Sequence, residues 1–378
     1  MSDTRRLVVS IDDQTLTVMD GGTSRRVFPV STSIKGMGFT KDSYRTPTGL
    51  FRICEKIGGG HARGTIFKAR VPVGHWQMGD SPHADLVLTR ILRLDGLESA
   101  NANTLERCVY IHGTNREDLI GKPAGHGCVR LRNDDMIELF DMVAPNDPVE
   151  IQPATRPHGA LLFIMLDRVL TPLDGMIELA RCRGSETLRD VSNMRAAMRG
   201  GAVAPDDAWL RCMELIRPDR GICADAAARC IESLAAGAIK FLSDAKSHGW
   251  MPVVLSHSPA ALAAPVVHAL GVEHWEAPEL MFDADASHMD SVRDCAMCGF
   301  FSMAGVIMDW RRALLPRRVV LIADRSATPD AKAAADGFVG FGCSSGSRDG
   351  TADDDFQMNG FSDRLAWSRV LHLPLNYP

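Results

Sequence analysis

Two short stretches of the chain place a sulfur nucleophile and a proton acceptor close together. They are Tyr110-Ile-His112-Gly-Thr114 and Gly125-His-Gly-Cys128-Val-Arg130. A thiol attacks carbonyl carbon as its thiolate, and a neighbouring imidazole can remove the proton and balance the charge. The pattern predicts a strand that delivers His112 as base and a glycine-flanked loop that presents Cys128 as nucleophile. Gly127 would let a substrate carbonyl approach the backbone, whose amides near Cys128 would steady a tetrahedral oxyanion. Arg130 would offer a fixed cation to a substrate carboxylate. Two other readings compete. Cysteines are commonly small buried residues, and His112, His126 and Cys128 are also zinc-ligand types, although the His-x-Cys spacing without a CxxC partner fits structural zinc poorly.

The elements that must position these groups are strands. Through about residue 152, Leu7–Asp12, Thr15–Met19, Arg26–Thr32, Leu50–Lys56, Val87–Leu94, Arg107–His112 and Val149–Ile151 alternate with Gly, Pro, Asn and Asp turns, so the first domain, 1–152, is expected to be mostly β. One helix is expected from Asn133 as N-cap, with Met136, Ile137, Leu139, Phe140 and Val143 at helical spacing. Two prolines and a glycine in residues 153–159 mark a linker.

In residues 160–378 the grammar changes. Apolar strands at Leu161–Leu166, Val253–Leu255 and Val319–Ala323 alternate with Ala-, Leu- and Met-rich helical tracts, which predicts a parallel, Rossmann-like α/β sheet. The long helical stretch between the first two strands reads as an inserted cap. Cys343–Gly360 is polar and reads as a loop.

Composition excludes several classes. At 378 residues, 45% hydrophobic and 24% charged, the chain is long enough for two cores and is neither disordered nor fibrous. Lys plus Arg and Asp plus Glu balance at 19 each through residue 155, and the whole chain carries −5, so a nucleic-acid surface is not expected. No apolar run approaches the ~20 residues of a membrane helix. The amino end shows neither h-region nor cleavage site, and ten cysteines lack the spacing of a disulfide framework; both point to a cytoplasmic protein.

His112-Gly-Thr followed by His126-Gly-Cys128-Val-Arg130, with Asn133, Asp135 and Leu139-Phe140 beyond and Thr46-Pro-Thr-Gly-Leu-Phe51 upstream, resembles the YkuD-type L,D-transpeptidase catalytic domain. The resemblance runs from about Leu7 to Ile151. It implies a β-sandwich-like fold, Cys128 as acylated nucleophile, His112 as its base, Gly113 orienting that imidazole through its backbone, and His126, Gly127 and Arg130 around the substrate, with no cofactor. Many members carry Ser or Thr where this chain has Gly125. Leu88-Thr-Arg-Ile-Leu-Arg-Leu-Asp-Gly-Leu-Glu98 is similar to a cytosolic subgroup of L,D-carboxypeptidases that recycle cell-wall peptides. The expected partners are therefore peptidoglycan stem peptides or muropeptides, and the expected reaction is removal of terminal D-alanine from a tetrapeptide. Crosslinking or exchange of D-amino acids in the wall is the alternative.

Leu161 to Gly342 resembles the phosphoserine-phosphatase-like branch of the haloacid-dehalogenase superfamily, through Met165-Leu-Asp-Arg-Val-Leu-Thr-Pro172, Ala197-Met-Arg-Gly-Gly201, Leu255-Ser-His-Ser-Pro259, Ala323-Asp-Arg-Ser326 and Ala335-Asp-Gly-Phe-Val339. That family needs a nucleophilic aspartate and a second one two residues on. Here Met165 stands at the nucleophile and Asp167 at the acid/base position, while the alternative register puts Val169 where a carboxylate is needed. Ser256 fits the phosphate-binding hydroxyl, residues 247–331 hold no lysine, and Asp324 is followed by Thr328 and a displaced Asp330 in place of a magnesium carboxylate. The domain is expected to be a catalytically inactive phosphatase relative, with residual phosphatase activity as the alternative.

Three lesser signals remain. Cys295-Ala-Met-Cys298 with His288 could hold a metal or a redox pair but lacks the rest of a zinc site. Gly58-Gly59-Gly60 lacks the ending of a phosphate loop and reads as a flap near the cysteine. Met194, Met198 and Met213 read as helix-core filler.

Overall fold

The computed structural model describes residues 5–77, 80, 85–156, 159–282, 289–292, 302–324, 327–341 and 356–358. The chain divides into two compact units, Met1–Pro157 with Trp310–Leu315, and His158–Asp309 with Pro316–Pro378.

The first unit is built on β1 (Arg6–Ser10), β2 (Thr15–Asp20), β3 (Thr23–Pro29), β4 (Gly49–Ile57), β5 (Thr65–Lys68), β6 (Val71–His75), β7 (Val87–Gly96), β8 (Tyr110–Gly113), β9 (Val129–Leu131) and β10 (Pro148–Gln152), with one α-helix, α1 (Asn133–Met142). The strands follow the order β3-β2-β1-β10-β4-β7-β5-β6, and β7 also pairs with β8, which pairs with β9. β1–β10 and β8–β9 are parallel and the other named pairs antiparallel. Isolated bridges Ser31–Arg130 and Ser33–Gly125 tie the segment after β3 to β9 and the residues before it, so the ladder curls back on itself.

Alternation makes the core. Leu7 and Val9, Leu16 and Val18, and Phe51 and Ile53 are fully buried at every second position and meet Ile111, Val129, Leu131 and the α1 residues Met136, Leu139 and Phe140 in one apolar cluster. Each such burial contributes roughly 1.5–3 kcal/mol relative to exposure. β7 is the strand on which the unit turns, because it serves β4, β5 and β8. Its register slips between Leu88 and Ile91, where Thr89 takes φ 71°.

The expected strands are present with shifted ends, but β5, β6 and β9 carry no sequence signal of comparable strength. β6 is exposed along its whole length and contains Pro72 and Gly74, and β9 has three residues, too few to display a period. Asn133 does not cap α1. Arg132 holds the N-cap position without a side-chain bond, and the Asn133 amide turns inward, while the Glu117 carboxylate accepts the Asn133 backbone N–H at 2.8 Å.

The second unit runs β11 (Ala160–Met165), α2 (Gly175–Arg183), α3 (Ser185–Arg199), α4 (Pro205–Ile216), α5 (Arg220–Glu232), α6 (Ala238–Ser247), β12 (Trp250–Leu255), α7 (Ala260–Ala269), β13 (His274–Glu276), an antiparallel pair of β14 (Leu280–Phe282) and β15 (Met289–Val292), the part of α8 (Met303–Leu314) before Trp310, β16 (Arg318–Ala323), α9 (Pro329–Ala334), β17 (Gly337–Phe341) and β18 (Phe356–Met358). Its main sheet is parallel throughout, in the order β13-β12-β11-β16-β17-β18. β11 is central and buried at every position, which explains its unbroken apolar sequence. Helices α2 to α6 fill the interval between β11 and β12, as expected of a cap. Asp174 and Asp219 start α2 and α5 by accepting the N–H of Ile177 and Ile222.

Candidate active site

Register sets the segments that carry the histidine and the cysteine side by side. In the parallel β8–β9 pair, Ile111 faces Val129, His112 faces Arg130 and Gly113 faces Leu131. Ile111, Val129 and Leu131 point into the core, so His112 and Arg130 share the opposite face. Cys128 lies in the bend directly before β9 and packs against the cluster of Phe67, Ile91 and Tyr110.

The imidazole is fixed in one tautomer. His112 is buried, and its Nδ1 lies 2.7 Å from the Gly113 carbonyl oxygen. A carbonyl only accepts, so Nδ1 carries the proton and Nε2 keeps its lone pair. Burial holds the His112 pKa below the usual histidine range, against the pull of the Gly113 carbonyl and the Asp85 charge. The sulfur is likewise held neutral. Burial pushes the Cys128 thiol up to about 11, although the Tyr110 N–H donates to Sγ at 3.3 Å and favours the thiolate. The thiol points its proton at the Cys108 carbonyl, 3.5 Å away. At rest the pair is thiol plus neutral imidazole.

Asp85 organises the rim, and nothing in the sequence patterning singles it out. Its Oδ2 accepts from His126 Nδ1 at 3.1 Å and from Arg130 Nη1 at 2.9 Å. Burial raises the Asp85 pKa, but the His126 bond and the Arg130 charge outweigh it and hold the carboxyl down at about 2. Arg130 is only 2% exposed and gives its other terminal nitrogen to Ser31 Oγ at 2.7 Å. The expected substrate cation is thus an internal ion pair, and His126, 60% exposed at its side chain, is the member of that triad facing solvent. Gly127 takes φ 112°, and a Cβ there would stand 3.2 Å from the Arg45 carbonyl oxygen, so the turn into Cys128 requires glycine.

In the second unit the expected phosphatase residues lie at the carboxyl ends of β11, β12 and β16. Met165 closes β11, fully buried. Asp167 accepts from the Gly175 N–H and Ser258 Oγ on Oδ1, at 2.9 and 2.8 Å, and from Ser256 Oγ and the His257 N–H on Oδ2, at 2.8 and 3.2 Å. Arg168 donates to Asp174 at 2.8 Å and to Asp324 at 3.4 Å, and Arg195 reaches Asp174 at 2.5 Å. The carboxylates are engaged by protein donors, and among the described residues no group of three or more His, Cys, Asp or Glu is arranged to hold a metal ion. His288, Cys295 and Cys298 lie outside the described residues, as do 343–355 and 359–360 of the expected polar loop, whose Phe356–Met358 form β18 instead of loop. Gly58 follows β4 and faces Phe67 and Thr89.

Residues 4–151 match the YkuD family of L,D-transpeptidase catalytic domains. The amino-terminal domain belongs to the YkuD family. A 37-residue stretch is 48% identical to YqjB of Bacillus subtilis strain 168, a protein assigned as an L,D-transpeptidase; it covers 10% of this chain and 21% of that relative's length. Among solved structures, an L,D-transpeptidase from Mycobacterium smegmatis is 23% identical over 39% of this chain and 58% of its own, with a TM-score of 0.27. A phosphoserine phosphatase from T. onnurineus is 16% identical over 58% of this chain and all of its own, with a TM-score of 0.44.

Within the YkuD domain, a buried layer behind β8 holds Gly113 in place. Asn133, fully buried, donates from Nδ2 to the Thr114 carbonyl at 2.8 Å and accepts Thr89 Oγ1 at 2.5 Å, and Thr89 Oγ1 accepts the Gly64 N–H at 3.0 Å. A Cβ on Gly113 would come within 2.5 Å of Asn133 Oδ1 and 2.9 Å of the Leu88 carbonyl oxygen. The positive φ of Thr89 and the inward Asn133 therefore position the carbonyl that fixes the His112 tautomer. Gly125 of the YkuD domain sits beside Arg130, where a Cβ would be 3.2 Å from Nε, and that buried Nε has no hydrogen-bond partner.

Proposed function

We propose that the YkuD domain is a cysteine-dependent acyl-transfer enzyme acting on peptidoglycan stem peptides, and that it works as an L,D-carboxypeptidase. The observation that carries this reading is the His112 Nδ1 contact with the Gly113 carbonyl, which leaves Nε2 as acceptor, with Cys128 directly before the strand that pairs with that of His112. Sγ attacks the carbonyl carbon of the L-centre that precedes D-alanine, and its proton passes to His112 Nε2 as the C–S bond forms. Backbone amides at Gly127 and Cys128 receive the oxyanion. Burial makes the imidazolium short-lived, so it returns the proton to the departing amine and D-alanine leaves. Water then attacks the thioester, His112 takes its proton, and the tripeptide acid and thiol are regenerated. The internal Asp85–Arg130 pair shapes the pocket, and His126 is the group that meets substrate.

Seven described cysteines carry free thiols, which supports work in a reducing, cytoplasmic compartment where water is the abundant acyl acceptor. Among the described residues no helix is long and apolar enough to cross a membrane. The test is mass spectrometry of the intact chain and its products after exposure to a tetrapeptide muropeptide and to a carbapenem. The expected result is Cys128-dependent release of D-alanine and a carbapenem adduct on Cys128. Crosslinked dimers as the main product would replace hydrolysis by transpeptidation. No adduct and no turnover would end the acyl-enzyme reading.

A further inference from the structure

The crevice of the second unit offers a built cavity that the YkuD chemistry leaves untouched. It lies where ligands enter parallel α/β sheets, outside the carboxyl ends of the strands at the point where strand order reverses, here between β11 and β16. The cavity measures about 90 Å³ and is walled by Met176, Met198, Met303, Ala208, Trp209 and Cys212, with Arg195, His257 and Thr328 at its polar side. That volume falls below the ~300–1,000 Å³ of pockets for drug-sized molecules and suits a group the size of one ring or branched side chain.

The charges around it are already matched inside the protein. The phosphatase resemblance implies a magnesium ion and a phosphoryl group, and these residues do not fit them. Arg168 bridges Asp174 and Asp324, supplying the positive charge between those carboxylates, while Asp167 has two donors on each oxygen. Arg195, the guanidinium that reaches the cavity, is paired with Asp174. Burial holds His257 below the usual histidine range, so it faces the cavity neutral. A phosphate would have to pull a guanidinium from its carboxylate, and a divalent cation would have to displace one.

We propose that this crevice is a metal-independent binding site for a small, uncharged, apolar molecule, aromatic or branched aliphatic, with Arg168 as the built-in counter-ion that closes it to divalent cations and phosphate. The inference does not rest on the activity proposed for the YkuD domain. The three wall methionines supply the readout. The full-length chain, labelled with ¹³C at the methionine methyls and assigned by single Met→Leu variants, is titrated with benzyl alcohol and separately with inorganic phosphate plus Mg²⁺. The expected result is a saturable shift of the Met176, Met198 and Met303 methyl signals with benzyl alcohol and none with phosphate plus Mg²⁺. Ala208→Trp, which fills the cavity, is expected to abolish the shifts; should that variant fail to fold, the wild-type titration decides alone. Persistence of the shifts in folded Ala208→Trp, shifts that do not saturate or that spread over methionines away from the wall, an absence of shifts, or a response to phosphate plus Mg²⁺ would each overturn the proposal.

Discussion

The cysteine site and the carboxylate cluster of the second unit both gather buried ionisable groups at strand ends, yet they differ in what is left unbonded. His112 has one ring nitrogen fixed by backbone and the other left as an acceptor, and Cys128 is steadied only by weak contacts with the Tyr110 amide and the Cys108 carbonyl. Asp167, by contrast, has two donors on each oxygen, and Arg168 and Arg195 hold Asp174 from two sides. A group whose hydrogen-bonding capacity is filled by its own chain is a structural element, whereas one fixed on a single side retains chemistry for a substrate. Residue type alone does not separate the two cases, since an aspartate at a strand end is a nucleophile or a strut according to its partners.

The contrast can be broken most directly by removing the groups on each side of it. Cys128→Ala is expected to abolish acyl adduct formation, and His112→Gln to slow acylation by about 10²–10⁴ fold, read by stopped-time mass spectrometry. Asp167→Ala is expected to leave acylation intact but to lower stability of the second unit by about 3 kcal/mol in chemical denaturation, because the Ser256 and Ser258 hydroxyls and two backbone amides lose their acceptor. If Asp167→Ala were neutral for stability while phosphate-ester turnover vanished with it, the cluster would be catalytic and the contrast false.

Gly113→Ala sharpens the comparison from the structural side. The added methyl meets Asn133 Oδ1 and the Leu88 carbonyl, and the expected loss is about 1–3 kcal/mol of stability with acylation reduced in parallel. The pH profile sharpens it further. The His112 pKa lies below its usual 6.5, so the neutral imidazole, and with it acylation, should persist below pH 6.5 and fall only in more acid solution. Asp85 titrates in the opposite sense. Its carboxyl is held at about 2 against a usual 3.8, so the stability it contributes is complete above about pH 4 and is lost as the pH falls through 2. Melting curves of wild type and Asp85→Asn should therefore converge at that acid end. The smallest effect belongs to Gly125→Ser, expected to raise stability by ~1 kcal/mol if the new hydroxyl reaches the unpartnered Arg130 Nε; a lower midpoint would show that the 3.2 Å approach of its Cβ to the Thr32 carbonyl decides instead.

Much of this architecture is legible in the chain. The alternating strands around the first core and the parallel sheet of the second unit follow from period, and the motif marks out His112 and Cys128 on neighbouring segments. What escaped was non-local. Asp85 stands 45 residues from Arg130 and acquires meaning only when β7 and β9 flank β8. Asn133 has the composition of a helix cap, and tertiary demand for its amide at Thr114 overrode that local preference. β9 was too short to show a period, although it carries the residue that pairs with His112.

Only sixteen positions separate His112 from Cys128, and the first lies on β8 while the second directly precedes β9, the strand joined to β8 by one crossover. Closing a loop of that length costs little chain entropy, so base and sulfur can find each other before the distant edges of the sheet are zipped. Rejoining the domain's termini and reopening the backbone at an exposed turn such as Gly21-Gly22 would leave that crossover uncut, and a circular permutant made this way should assemble the same reactive couple.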